Sequence, residues 1–404
     1  MNNNNRTNRD LFEHIQDLMS KGLVAHSSGR KYYTGYSYST LYDWDQYFEG
    51  IVQLYMGYGT EYLQNSVCIF LEAQQKDGFI PRYVPNVPQT TYPQMDGEMV
   101  KPFLAQITLL CLKFDGGLKW FTPAFYQRMK DYLLYWIGPH SVNGYAFYRS
   151  APHSGLDTQT ERCGGWEADF CGGVDLNVFL YRDLTAFSII AEYLDKKQDQ
   201  TLFTQYAAEY RDRILDCWDE KDGFFYDRNV RTGSPIKVKT LAGMLPMWAG
   251  IATASQAQIL TYDYLFNPKE FFRPYPFPAM SSSEPGYSET PISGDIGICN
   301  WRANTWIPTN YMVMHGLMEY GFYDLAELVA YKTAQLLAKS QDREFYDTES
   351  GKGDGLNPFW GWSLLGYFMP MEAFEDFDPT DLELDTDDMY AYMPYFRLGP
   401  DVGV

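Results

Sequence analysis

The chain has 404 residues, 45% of them hydrophobic and 21% charged, the balance of a folded globular protein rather than a disordered or fibrous one. Its formal net charge of −20 excludes the basic footprint that nucleic acid or an anionic membrane surface requires. No run of about twenty apolar residues occurs, so no membrane-spanning helix is expected. The polar start MNNNNRTNRD has no apolar signal-peptide core, which makes the cytoplasm the expected compartment.

In chain order, Leu11, Ile15, Leu18 and Met19 form an i, i+4, i+7, i+8 stripe that predicts a helix over 9–22. A Tyr- and Ser-rich loop over 27–42 leads to a helix carrying Trp44, Phe48, Ile51, Val52 and Tyr55, and another runs through 60–75. The stretch 75–93, punctuated by Asp-Gly and four prolines, reads as loop. Helical patterns follow at 98–113, 122–137, 174–194, 199–217, 238–250 and 254–264. A Pro-, Ser- and Gly-rich loop covers 267–300, and helices resume at 305–320, 322–339 and 358–370. From Glu372 the chain is an acidic, aromatic tail, with a short strand expected at Tyr390–Phe396. Period-2 alternation occurs only near Tyr145–Arg149 and Phe224–Asp227.

The helices arrive mostly in pairs. QKDGFIPRY at 75–83 and EKDGFFYDR at 220–228 each follow a helix end, with DREFYDTESGKGDG at 342–355 a looser copy. Repeated helical hairpins predict an all-α array, either a closed (α/α)6 barrel or an open solenoid.

Candidate chemistry gathers on loops. The stretch Ser154–Leu184 presents Asp157 after a glycine turn, then arginines, Gly-Gly-Trp and an acidic run, which suits a site better than a core. Glu344 sits in similar company, REFYDTESGKGDG. Hydrolysis of a glycosidic bond needs two carboxyl groups on one pocket, one to protonate the leaving oxygen and one to attack carbon or activate water. Asp157 and Glu344 are the candidate pair, although turn chemistry alone would suit Asp157 and a surface charge would suit Glu344. Trp44 and Asp45 open one helix; Asp45 could simply cap it, but Gln46, Tyr47 and Glu49 beside it make a polar-aromatic face. Trp301, Arg302 and Trp306 open another. His153 adjoins the Asp157 turn. The chain has 34 Tyr, 26 Phe and 10 Trp, an aromatic richness compatible with stacking on sugar faces. Six scattered cysteines show no Cys-x-x-Cys, and five histidines show no zinc spacing, so free thiols and no metal or cofactor are expected. Cys163 and Cys171 flank the loop containing Trp166.

Four blocks in order resemble the inverting α-glycosidases of glycoside hydrolase families 63 and 37. Asp43-Trp44-Asp45-Gln46-Tyr47-Phe48 is similar to the Tyr-Trp-Asp-Ser-Tyr-Phe of trehalases. Ser154-Gly155-Leu156-Asp157, an arginine and Val174-Asp175-Leu176-Asn177 form the second block. The run from Trp301 to Tyr311 resembles the Trp-Arg-Gly-Pro-x-Trp-x-Pro-x-Asn-Tyr of family 63, and Glu344-Phe345-Tyr346-Asp347 with Trp360-Gly361-Trp362-Ser363 completes the set. The resemblance implies a single (α/α)6 barrel over 1–404, the tail from about 372 packed on or beside it. It implies Asp157 as general acid and Glu344 as general base, with inversion and a carboxyl separation of roughly 6.5–9.5 Å. It also implies Trp44, Asp45, Trp301, Trp306 and Trp362 around the sugar, with Arg162 and Arg182 as polar contacts.

In size and simplicity the chain is similar to the cytoplasmic mannosylglycerate and glucosylglycerate hydrolases of family 63. Lys101, Arg162, Arg182, Tyr36 and Gln106 are then candidates for holding a glycerate carboxylate. Thr158-Gln159 replaces the family's Asn-Ser after the acid, and Trp-Arg-Ala-Asn-Thr-Trp departs from the trehalase block, which leaves the substrate open. Trehalose or a short α-gluco-oligosaccharide is the alternative. A sugar-binding barrel without turnover is a third reading, and an epimerase, which needs pocket histidines, a fourth. A small-molecule sugar is the expected partner in each.

Overall fold

The computed structural model describes residues 8–85, 97–165, 168–288 and 299–380. Helices dominate. The N-terminal part runs α1 (Asn8–Ser20), α2 (Asp45–Tyr55), α3 (Glu61–Glu72), α4 (Leu104–Asp115) and α5 (Pro123–Ile137). Two single turns follow, α6 (Ala151–Ser154) and α7 (Thr160–Cys163), then the long pair α8 (Val174–Tyr193) and α9 (Lys197–Leu215). The C-terminal part holds α10 (Leu245–Trp248), α11 (Ala254–Ile259), α12 (Ile307–Glu319), α13 (Tyr323–Ser340) and α14 (Met369–Glu375).

The array closes. α2 packs on α4, α4 on α8, α8 on α10, α10 on α12, α12 on a 3-10 helix at Trp362–Tyr367, and that helix packs back on α2. The ring of six inner elements is the closed member of the two arrays that the repeats allow. Its outer layer includes α3, packed on α4 and α5, α9 on α8, and α13 on α12.

Side-chain pattern decides which layer a helix joins. All eleven residues of α2 are buried, Gln46, Glu49 and Gln53 included. The outer α9 buries only Phe203, Ala207, Tyr210 and Ile214, one stripe at helical spacing. Ends follow capping chemistry: Thr122 accepts the Phe125 N–H ahead of Pro123, and Thr253 with Gln256 forms a reciprocal box on α11.

Several expected elements differ locally. The helix expected at 98–113 begins at Leu104, because 98–100 bond to the 80–82 segment through Arg82 N–H to Glu98 O and Val100 N–H to Ile80 O. The helix expected at 238–250 is a 3-10 turn at Leu241–Met244 followed by α10, with Pro246 inside its first turn. The 254–264 helix changes to a π turn at Leu260–Leu265. The 358–370 helix is the 3-10 element of the inner ring. The strand expected at Tyr390–Phe396 lies outside the described residues.

Short antiparallel ladders join the loops. Leu41–Tyr42 pairs with Tyr83–Val84, and Phe345–Asp347 lies between Asn304–Thr305 and Gly353–Asp354. The α2, α12 and 362–367 elements begin beside these loops, so one end of the barrel is built from inner-helix N-termini and ladder strands. No helix of the described residues is long and apolar enough to cross a membrane.

Candidate active site

At that end Asp157 and Glu344 face one pocket with Tyr36, Tyr38, Tyr42, Trp44, Asp45, Arg82, Gly155, Cys299, Trp301, Trp306 and Trp362. The two carboxyls named from sequence, 187 positions apart, thus meet with five of the aromatic and acidic residues expected around a sugar.

Asp157 reaches the pocket because α6 stops at Gly155, whose φ of +81° turns the chain sharply. A Cβ there would stand 3.0 Å from the Trp44 ring, so the turn also needs glycine's small size. The two residues after Asp157 anchor the opposite wall. Thr158 Oγ1 accepts the Trp301 N–H at 2.9 Å, and Gln159 Nε2 donates to the Trp301 carbonyl at 2.7 Å. The departure from Asn-Ser at these positions is therefore a pair of backbone braces on Trp301.

Glu344 leaves α13 and precedes the Phe345–Asp347 strand. Trp362 Nε1 donates to its carbonyl at 3.2 Å, and Ser363 Oγ donates to the Arg343 carbonyl at 2.6 Å. The Trp-Gly-Trp-Ser block thus holds the carboxylate's backbone. Glu344 Oε2 accepts the Leu356 N–H at 3.0 Å, and Oε1 lies 3.8 Å from Cys299 Sγ.

Tryptophans make the walls. Trp301 and Trp306 stack with centroids 3.5 Å apart and planes 9° from parallel, and Phe345 continues the stack at 4.6 Å from Trp306. Trp44 and Trp362 meet Trp301 edge-on or tilted at 6.0 and 6.2 Å. The rings are core and wall at once, buried from solvent yet lining the pocket.

Electrostatics set the two carboxyls up differently. Asp157 keeps 29% of its side chain open to the pocket. Burial nevertheless pushes its carboxyl up to about 7, against the pull of Arg82 and Lys101. Burial raises Glu344 as well, opposed by the Leu356 N–H and the Cys299 thiol. Asp45 is raised by burial and by Asp43; one of its oxygens is buried with no hydrogen-bond partner among the described residues. A ligand hydroxyl donating to that oxygen would satisfy it.

Four residues expected at the sugar or its glycerate lie elsewhere. Arg162 is fully buried and bonds both Asp175 and Asp227, a closed ion group with no face on the pocket. Arg182 stands over the Trp248 ring at 3.7 Å and donates to Gln106 Oε1 at 3.0 Å. Arg182 and Gln106 line a separate cavity with Tyr47 and Lys113, between α4 and α8. Lys101 pairs with Asp43 at 2.9 Å, wholly buried under Trp44. His153 is a core residue that accepts the Arg149 N–H and bonds the Met99 carbonyl. Arg302 turns to Glu161 at 3.2 Å. Cys163 and Cys171 are buried thiols 3.1 Å apart.

Sequence reasoning missed Arg82, Tyr38, Tyr42 and Cys299. Arg82 lies in a proline-rich loop that offers no motif; the ladder between Tyr83–Val84 and Leu41–Tyr42, and its own backbone bond to Glu98, carry it to the site. It bonds Glu98 at 3.0 Å and the Pro152 carbonyl, and its Nη2 is 3.8 Å from Asp157 Oδ1.

The profile of the "Mannosylglycerate hydrolase MGH1-like glycoside hydrolase domain" family matches residues 38–363. The mannosylglycerate hydrolase of Thermus thermophilus is 28% identical over 184 residues, which cover 45% of this chain and 40% of that one. The matched region thus spans less than half the length of that relative. Among solved structures, a family 63 mannosylglycerate hydrolase from another strain of Thermus thermophilus, in complex with Tris and D-glycerate, superposes with a TM-score of 0.68. It shares 17% identity, over 91% of this chain and 100% of that one. Neutral trehalase from Saccharomyces cerevisiae superposes with a TM-score of 0.65 at 18% identity, over 95% of this chain and 82% of that one. These likenesses are of fold.

Proposed function

The chain belongs to the mannosylglycerate hydrolase MGH1-like glycoside hydrolase family, and from that premise we propose that it is an inverting α-glycosidase acting on a small α-glycoside. The observation that carries this reading is the pairing of Asp157 and Glu344 on one tryptophan-walled pocket, with the Asp157 carboxyl pushed up to about 7. A carboxyl held protonated near neutral pH is suited to deliver its proton to the glycosidic oxygen as the bond to the anomeric carbon breaks. Glu344, its Oε2 tied to a backbone N–H, is suited to take a proton from a water attacking the opposite face of the sugar. Trp301, backed by the Trp306–Phe345 stack, and Trp44 offer ring surface for the sugar, and Asp45 offers an acceptor for its hydroxyls.

Mannosylglycerate or glucosylglycerate is the preferred substrate. The acid protonates the oxygen of the departing group, so that group sits on the Asp157 side of the pocket. Arg82 is on that side, 3.8 Å from Asp157, with its Nε buried and without a hydrogen-bond partner among the described residues. A guanidinium there suits a glycerate carboxylate, which its fork can bind through two parallel hydrogen bonds. Trehalose or another short α-glucoside is the second reading, supported by the likeness to neutral trehalase and by the neutral aromatic rim of Tyr36, Tyr38 and Tyr42. A cytosolic setting fits the cytosolic neutral trehalase among the relatives, 27% identical over 182 residues.

Arg82→Lys tests the substrate assignment. It retains a cation beside Glu98 and removes the fork. The ratio of kcat/KM for mannosylglycerate to that for kojibiose is expected to fall at least about tenfold, since one bidentate contact is worth above about 1.4 kcal/mol. An unchanged ratio would refute the role of Arg82.

A further inference from the structure

Cys299 is the pocket residue for which the chemistry above gives no role. Its thiol lines the same cavity as Asp157 and Glu344, with Sγ 3.8 Å from Glu344 Oε1. The other carboxylate oxygen already accepts the Leu356 N–H, so the two oxygens have different partners.

The position of the thiol is set by the chain around it. The Asn300 carbonyl accepts Trp306 Nε1 at 3.0 Å and Asn304 Nδ2 at 3.1 Å. The Asn300 side chain accepts the Arg302 N–H at 3.0 Å and donates to the Ser288 carbonyl at 2.7 Å. The residue after Cys299 is therefore bonded on every polar group of its side chain and on its carbonyl. It is fastened to the same tryptophan that forms the pocket wall.

A general base in an inverting reaction must keep one carboxylate oxygen aimed at the attacking water throughout the approach. A carboxylate fastened through one oxygen alone can still swing about that contact. We propose that Cys299 is a positioning residue, whose S–H donates to Glu344 Oε1 and holds the carboxylate in line with the water. This rests on the reading of Glu344 as the base. The thiol suits the task because burial, with Glu344 and Asp157 nearby, pushes its pKa well above the usual range. It stays protonated, a donor and not a thiolate nucleophile. Its proton remains on sulfur and no covalent step passes through it.

Loss of the donor has a readout that packing does not share. A hydrogen bond to the ionised form lowers a carboxyl's pKa, so its removal raises that of Glu344. The base must be ionised to act, and the acid limb of kcat/KM therefore moves to higher pH. A thiol is a weak donor, and a shift of roughly half a pH unit is expected. The test compares Cys299→Ala and Cys299→Ser with wild type in pH profiles of kcat/KM on mannosylglycerate, with kcat and KM separated at the optimum. Glu344→Gln is run alongside. The expected result is an acid limb shifted upward in Cys299→Ala, a fall in kcat larger than any rise in KM, and a limb returned towards wild type in Cys299→Ser. A wild-type limb in the alanine variant, or an equal displacement in both variants, would overturn the proposal. If Glu344→Gln turns over like wild type, the assignment of the base fails, and the positioning role with it. If Glu344→Gln is inactive and the alanine limb is unmoved, the positioning role fails alone.

Discussion

Asp157→Asn separates the chemistry of the site from what the site costs the fold. Burial lifts the Asp157 carboxyl from an ordinary 3.8 to about 7. A group whose pKa rises on folding favours the folded state fully below its unfolded pKa, and that contribution is lost as pH rises through the folded value. Each unit between the two is worth about 1.4 kcal/mol, so an ionised Asp157 at about pH 8 sets an upper limit of about 4 kcal/mol of destabilisation. With 29% of the side chain open to the pocket, solvent screening reduces this to about 2 kcal/mol. Asparagine keeps the shape and removes the charge. In a chain of 404 residues, a change of about 1 kcal/mol moves Tm by about 1 °C. The variant is expected to melt about 2 °C above wild type at pH 8, with the gap closing towards pH 4. Its turnover falls by about 10² to 10⁴, the usual contribution of a general acid. Thermal melts at pH 4, 6 and 8, paired with sugar-release assays, measure both. A variant no more stable than wild type at pH 8, or one with wild-type turnover, refutes the reasoning.

Two further substitutions test the frame around the site. Arg162→Met leaves Asp175 and Asp227 buried without their cation and is expected to cost about 3–5 kcal/mol; a shift below about 1 kcal/mol in urea unfolding would contradict the closed ion group. Gly355 has a φ of +71°, and a Cβ there would stand 2.5 Å from Glu344 Oε2. Gly355→Ala is expected to lower kcat at least about tenfold by displacing the base, at about 1 kcal/mol of backbone strain; unchanged kcat would contradict that contact.

The outer α9 was legible because it buries a single stripe at helical spacing. Ring closure was not, since it depends on the 362–367 element packing on α2, some 310 residues away in sequence. That element is six residues of 3-10 helix with Gly366 inside it, too short to show an α-helical period. Asp157, Glu344 and four tryptophans were legible because they sit in ordered blocks. Arg162 was misread for a physical reason: its loop has the composition of a site, but Asp227, 65 positions later, claims the guanidinium. Gln106 and Arg182 line a separate cavity between α4 and α8, and a motif does not tell which cavity a helix face opens on. Arg82 was invisible because its place depends on short backbone pairings between loops, to Leu41–Tyr42 on one side and to Glu98 on the other.

The measurement that tests the central claim most directly is the anomer first released from mannosylglycerate, glucosylglycerate, trehalose and kojibiose, followed by proton NMR. The account predicts the β-anomer, from one of the two glycerates. Release of the α-anomer would mean retention and undo the roles of Asp157 and Glu344, and turnover confined to the neutral disaccharides, or none on any of the four, would contradict the substrate assignment.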